Sequence, residues 1–265
     1  MWTVTGLTFR KFKEPAFFLM LAFALMTGYA VSEMDPVSDQ VAGNAILSHL
    51  LGRQPGSEPV LTSTFAALLI SMLLSCFTGA VEIPREISSG QIQHWLSKPI
   101  SRTSYLLGKY FGILLICATF FCTTELSVIL FHYVSSGSCY SFPLIARQFL
   151  MMTMFIPYTA VILMFSCCAG DIAAIIFTLL YILFSLLFNL VPILIAMLPQ
   201  GFAGDVEESI FILYYLFPNN LYFLLDFPLF GIVSGMLVIY SFSIASIFLM
   251  AADYQFRHMD LSRKG

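Results

Sequence analysis

With 265 residues, 59% of them hydrophobic and 10% charged, and a net charge of −3, the chain lies outside the composition of soluble globular proteins. A bilayer core of about 30 Å takes about 20 helical residues, and six mostly uncharged runs of that order fill most of the sequence. The remainder excludes a self-standing soluble catalytic domain, which needs at least about 50 residues.

At the start, Trp2, Val4, Leu7, Phe9 and Phe12 interleave with Thr8, Arg10, Lys11 and Lys13. This suits either an interfacial helix over 1–14 or a plain basic and aromatic anchor. The first span runs from Pro15 to Ser32; Gly28 and Ala30 also offer a cleavage spacing, and the expectation is a retained span. A Gly- and Pro-containing loop, Glu33 to Glu58, leads to the second span, Pro59 to Val81. The third starts near Lys109 and reaches about His132, interrupted by Glu125.

The fourth span, Gln148 to Gly170, and the fifth, Ile172 to about Pro199, meet at the sequence CCAGDIAA. There Gly170 is expected to take the left-handed position that ends one helix and Asp171 to cap the next. Pro157 and Pro192 are candidate kinks. Over 200–226, Asp205, Glu207 and Glu208 suit a helix start, and Pro218 stops the aromatic run that follows. Short helices dipping into the outer leaflet are expected. The sixth span, Phe227 to Ala252, precedes a tail over 253–265.

Lys and Arg in short loops favour the cytoplasmic side. Ten of the 12 fall before the first span, between the second and third, or after the sixth. Six crossings put all three groups on one face, so both termini are expected in the cytoplasm. Five of the six cysteines fall within predicted spans and Cys139 in an outer loop, which reads as small packing residues rather than a disulfide framework.

The stretch REISSGQIQHWLSKPISR, Arg85 to Arg102, concentrates amphipathic chemistry between two apolar spans. Pro84 suits a first helical position and Gly90 permits a bend. Ile92, Trp95 and Leu96 share an i, i+3, i+4 face, Lys98-Pro99 ends the turn, and Ser101 is placed to cap the third span's helix. The prediction is an exposed, rigid elbow over 82–104. Either a cytoplasmic partner docks on it or it rests on lipid headgroups.

From Glu82 to Gly112 the run EIPREISSGQIQHWLSKPISRTSYLLGKYFG resembles the cytoplasmic segment of the type-2 ABC transporter permeases, and Tyr254 to Leu261 resembles their closing basic and aromatic run. The resemblance implies an all-α membrane protein, six transmembrane helices with the coupling-helix elbow between helices 2 and 3. It implies docking on a separate ATPase through Glu82, Arg85 and Glu86, with Gly90 at the bend and Ile92, Trp95 and Leu96 as the apolar anchor. The implied partners are two ATP-binding-cassette ATPase subunits, a second permease copy or a related permease, lipid, and a protein on the outer face. No nucleic acid is implied. ATP and Mg would be bound by the ATPase and no cofactor by this chain, which lacks G-x-x-x-x-G-K-[ST]. Similar permeases handle lipids, polysaccharides or small toxic compounds, and in nitrous-oxide reductase maturation sulfur or copper-related cargo; others transmit force without moving a substrate.

Glu125 stands 16 residues beyond Lys109, about 24 Å along a helix. An acid at that depth is a candidate pathway residue, or bonds Thr123, Thr124 or a neighbouring helix. The alternative to an ATP-driven permease is a proton- or cation-coupled carrier using Glu125, alone or with Asp171. An intramembrane enzyme is disfavoured: His49, His94, His132 and His258 form no H-E-x-x-H, and VSSGSCYS, Val134 to Ser141, lacks a recognisable His partner.

Overall fold

The computed structural model describes residues 58–97, 100–137, 150–188 and 232–258, together with residue 145 and six positions of the first predicted span. Those six, Phe18, Ala22, Phe23, Leu25, Met26 and Tyr29, are helical. The rest of that span and the segments 1–14, 200–226 and 259–265 lie outside the described residues.

Among the described residues the chain is helical, without strands. Helix α1 is Glu58–Gly79, α2 Glu82–Ser88, α3 Gln91–Leu96 and α4 Arg102–Ser136; a 3-10 turn, Met151–Met154, leads into α5, Phe155–Cys168, followed by α6, Asp171–Phe188, and α7, Ile232–His258. Four stretches, Ala67–Ser88, Arg102–Val134, Met151–Cys168 and Gly235–His258, are long and apolar enough to cross a membrane, and Asp171–Ser185 is a shorter apolar helix.

The helices associate as helices in lipid must, through close packing rather than expulsion of water. Small buried residues, among them Ala67, Ala160, Ala174 and Ala245, let the backbones approach. Gly79 marks a close approach: a Cβ there would stand 2.9 Å from Ile113 Cγ2 and 3.0 Å from Ile162 Cγ2, so α1, α4 and α5 meet where a side chain would crowd its neighbours. Buried hydroxyls of Ser71, Ser75, Thr124, Thr159, Thr178 and Ser241 donate to carbonyls four residues back, which satisfies the donors within their own helices.

One core cluster gathers Leu68, Met72, Cys117, Phe121, Phe155 and Tyr158, with Phe121 and Phe155 edge to face at 5.5 Å. A second, at the elbow end, joins Ile83, Ile92, Tyr105, Leu106, Leu163 and Phe256. The opposite faces of α6 and α7 expose Ile172, Leu183, Met236, Ile239 and Met250, as lipid-facing positions do.

Local signals are met in some places and displaced in others. Pro84 is the third residue of α2, not the first, and Pro157 the third of α5; in either first turn a missing N–H removes no helical bond. The hairpin before α6 turns differently from expectation. Ala169 is extended (φ −131°, ψ 163°) and Gly170 has no positive φ; its carbonyl accepts from Ala174 N at 2.8 Å, making Asp171 the exposed first residue of α6 rather than its cap. The last helix also continues to His258, so 253–258 extend it.

Candidate functional site

The elbow is built from two short helices and a cap. Gly90 sits at φ 70°, the left-handed conformation that ends α2 and costs an L side chain strain. Its carbonyl accepts from Gln93 N at 3.2 Å, so α3 starts within the same bend. Ser101 is extended, and its hydroxyl accepts from Ser104 N at 3.1 Å, capping α4 as the sequence predicts.

The inner face of the elbow carries a buried charge cluster. Glu82 and Glu86 are i, i+4 neighbours on α2, and Tyr105 and Lys109 are i, i+4 neighbours on α4, so each pair shares one face. The two faces interlock. Lys109 Nζ donates to Glu82 Oε1 at 2.7 Å and to Glu86 Oε1 at 2.5 Å, while the Tyr105 hydroxyl donates to Glu86 Oε2. The ammonium is 1% exposed and the carboxylates 7% and 13%. At such burial an ion pair is no great net source of stability, but removing one member leaves the other charged in a poor solvent for charge.

Apolar packing and a third helix complete the attachment. Ile83 and Ile92 are buried against Tyr105 and Leu106, with Ile87 and Trp95 packed alongside. Ile83 N donates to Ser166 Oγ of α5 at 3.3 Å. The α7 end is fastened nearby: Arg102 Nη1 donates to the carbonyls of Arg257 at 2.8 Å and Phe256 at 3.3 Å, terminal acceptors that a helix otherwise leaves open. Thr103 Oγ1 donates to Asp253 Oδ1 at 3.0 Å, and Arg257 reaches both residues.

The predicted site residues therefore divide. Glu82, Glu86 and Ile92 face the chain's own core, and Trp95 is half-buried against it, its ring edge to face with His94. Arg85, Gly90, Gln91, Gln93 and His94 are exposed on the other side, and Leu96 is the last residue of α3. Lys109, Tyr105 and Ser166 were not distinguishable as site residues from composition. The two i, i+4 spacings, Glu82 with Glu86 and Tyr105 with Lys109, were the available signal.

Glu125 lies far from this cluster on α4 and is fully buried. Thr123 and Thr124 do not donate to it, because their hydroxyls go to the carbonyls of Thr119 and Phe120. Among the described residues no group of three His, Cys, Asp or Glu is arranged to hold a metal.

The elbow thus joins a buried anchoring face to an exposed polar one, between apolar helices on either side. The profile described as ABC-2 family transporter protein matches residues 15–225, which include the elbow and Glu125. Comparison with curated proteins and with solved structures gives no match. On the strength of a match over most of its length, the chain belongs to the ABC-2 family of transporter proteins and is a multi-pass membrane subunit of that class.

Proposed function

We propose that this chain is the inner-membrane permease of an ATP-driven exporter, moved by two separate ATP-binding-cassette ATPases that bind the ATP and Mg. In this reading it crosses the membrane six times with both termini cytoplasmic and works as a homodimer or beside a related permease. The elbow is the coupling element. Its supporting observation is the division of faces: Glu82, Glu86 and Ile92 are occupied by the chain's own core, while Arg85, Gln91 and His94 remain exposed for a partner.

Closure of the ATPases on ATP would press on that outer face. Because α2 is held to α4 through Lys109 rather than through a flexible loop, the push is delivered to the helix that enters the membrane. Family membership favours ATP over an ion gradient as the source of energy. The match is to the family as a whole and does not select the nitrous-oxide reductase maturation branch.

Purification from the native membrane in mild detergent tests the reading. A Walker-motif ATPase is expected to accompany the wild type. In the Arg85→Glu, His94→Glu double variant its recovery should fall by about 30-fold, the equivalent of about 2 kcal/mol for a central interface contact. Elution of the permease at its normal size shows that folding is kept. Absence of any ATPase from the wild-type preparation would end the proposal.

Glu125 is proposed as a residue of the substrate path, on its full burial in the outer half of α4. Glu125→Gln keeps shape and hydrogen bonding but removes the charge. At wild-type expression it should fail to restore the phenotype of a strain lacking the permease, and full restoration would remove Glu125 from the path.

A further inference from the structure

We infer that the last helix moves with the elbow, and that Tyr105 is the positioning residue that joins them. The inference rests on the coupling reading above but assigns a second output to the elbow, beyond the helices at its two ends.

Tyr105 is used from both sides. Its hydroxyl donates to Glu86 Oε2 on α2, and its ring is stacked on Phe256 of α7 with centroids 5.5 Å apart and planes 10° from parallel. Both rings are buried, Tyr105 at 1% and Phe256 at 0% exposure, so neither shifts into water when the other is displaced. One side chain thus touches the elbow through a charge-assisted hydrogen bond and the last helix through an offset ring stack.

The surrounding contacts make the junction stiff. One turn or less before Tyr105, Arg102 holds the terminal carbonyls of α7 and Thr103 bonds Asp253, whose other oxygen takes Arg257 at 2.8 Å. These polar contacts fix the ends of α4 and α7 to each other without touching α2 or α3. The Glu86–Tyr105–Phe256 sequence crosses from α2 to α7 with a specific partner at each step. The Ile83 to Ser166 bond leads to α5, which packs along α7 and gives a second, less direct route. Packed interfaces pass on displacement in discrete arrangements rather than absorbing it smoothly, so a pushed Glu86 shifts Tyr105, and Tyr105 shifts Phe256.

Spin-label distances in the assembled complex provide the test. Labels are placed at exposed positions, Gln93→Cys on α3 and Tyr254→Cys on α7, each paired with a reference at Ile172→Cys on α6, with Cys139 and Cys168 replaced by Ser. The permease with its ATPase in lipid nanodiscs is compared without nucleotide and trapped with ATP, Mg and vanadate. Both distances should change by about 2 Å or more, the scale of helix shifts in switching proteins. In Tyr105→Phe, which keeps the ring and its stacking, the α3 change should persist and the α7 change should shrink by at least half. Tyr105→Phe must also keep wild-type ATPase recovery, which separates transmission from docking.

If the α3 label moves in the wild type and the α7 label does not, the inference is overturned while the coupling reading stands. If both move in Tyr105→Phe as in the wild type, Tyr105 is not the junction. If neither label moves in a complex that hydrolyses ATP, the coupling reading fails, and this inference with it.

Discussion

Lys109→Met should destabilise the folded permease by about 3–5 kcal/mol, the cost typical of removing one partner from a buried charge cluster. The methionine fills much the same space, so the loss is electrostatic: Glu82 and Glu86, with exposures of 7% and 13%, lose the ammonium between them. The elbow is then expected to detach from α4, because bringing two carboxylates into water is cheaper than holding them in the core. Thermal unfolding in detergent measures the loss. Adding Glu82→Gln and Glu86→Gln to Lys109→Met should recover most of it, since neutral amides carry no stranded charge. Wild-type stability in Lys109→Met alone would show that the three groups do not hold the elbow.

The second large effect separates the two faces of α3. Ile92 is 1% exposed among Ile83, Tyr105 and Leu106, and Ile92→Ala should cost about 2–5 kcal/mol through lost packing and the cavity left behind. His94, two residues on, is exposed, and His94→Ala should change stability by no more than about 0.5 kcal/mol. ATPase recovery should rank the pair oppositely once each is corrected for the fraction folded. Equal stability in the two variants would put Ile92 outside the core; equal recovery would mean that His94 contributes nothing to docking.

The comparison of faces also shows which parts of this molecule are readable from its residues. Gly90 and Ser101 were legible because a left-handed bend and an N-cap depend on the residue itself and its nearest neighbours. The amphipathic period of Ile92 and Trp95 was legible too, but not what it faces. Periodicity identifies an apolar side without saying whether the chain's own core or a partner covers it. The side here meets Tyr105, Leu106 and the end of α7.

Lys109 illustrates the same limit for charge. In sequence it marks the place where a span begins, since 23 residues separate it from Glu86 and nothing local links them. Only the fold brings α2 against α4. The end of α7 was misplaced for a different reason. Hydropathy falls at Asp253, but a helix continues as long as its backbone bonds do, and Arg102 and Thr103 supply polar partners that carry it on to His258. At Gly170 the composition allowed a left-handed turn without requiring it, and the extended Ala169 makes the reversal instead.

The crossing at Gly79 has a mechanical meaning for α4. Ile113, which touches it, lies four residues from Lys109 and 18 from Phe131, where the ring of Tyr29 stands 4.9 Å away. At 1.5 Å per residue these are arms of about 6 Å and about 27 Å. A rigid rod turning about that fulcrum amplifies roughly fourfold, so about 1 Å of travel at Lys109 becomes about 4 Å at the far end. Placing this tight contact near the elbow end gives α4 the geometry of a long-throw lever, with its largest excursion on the side away from the elbow.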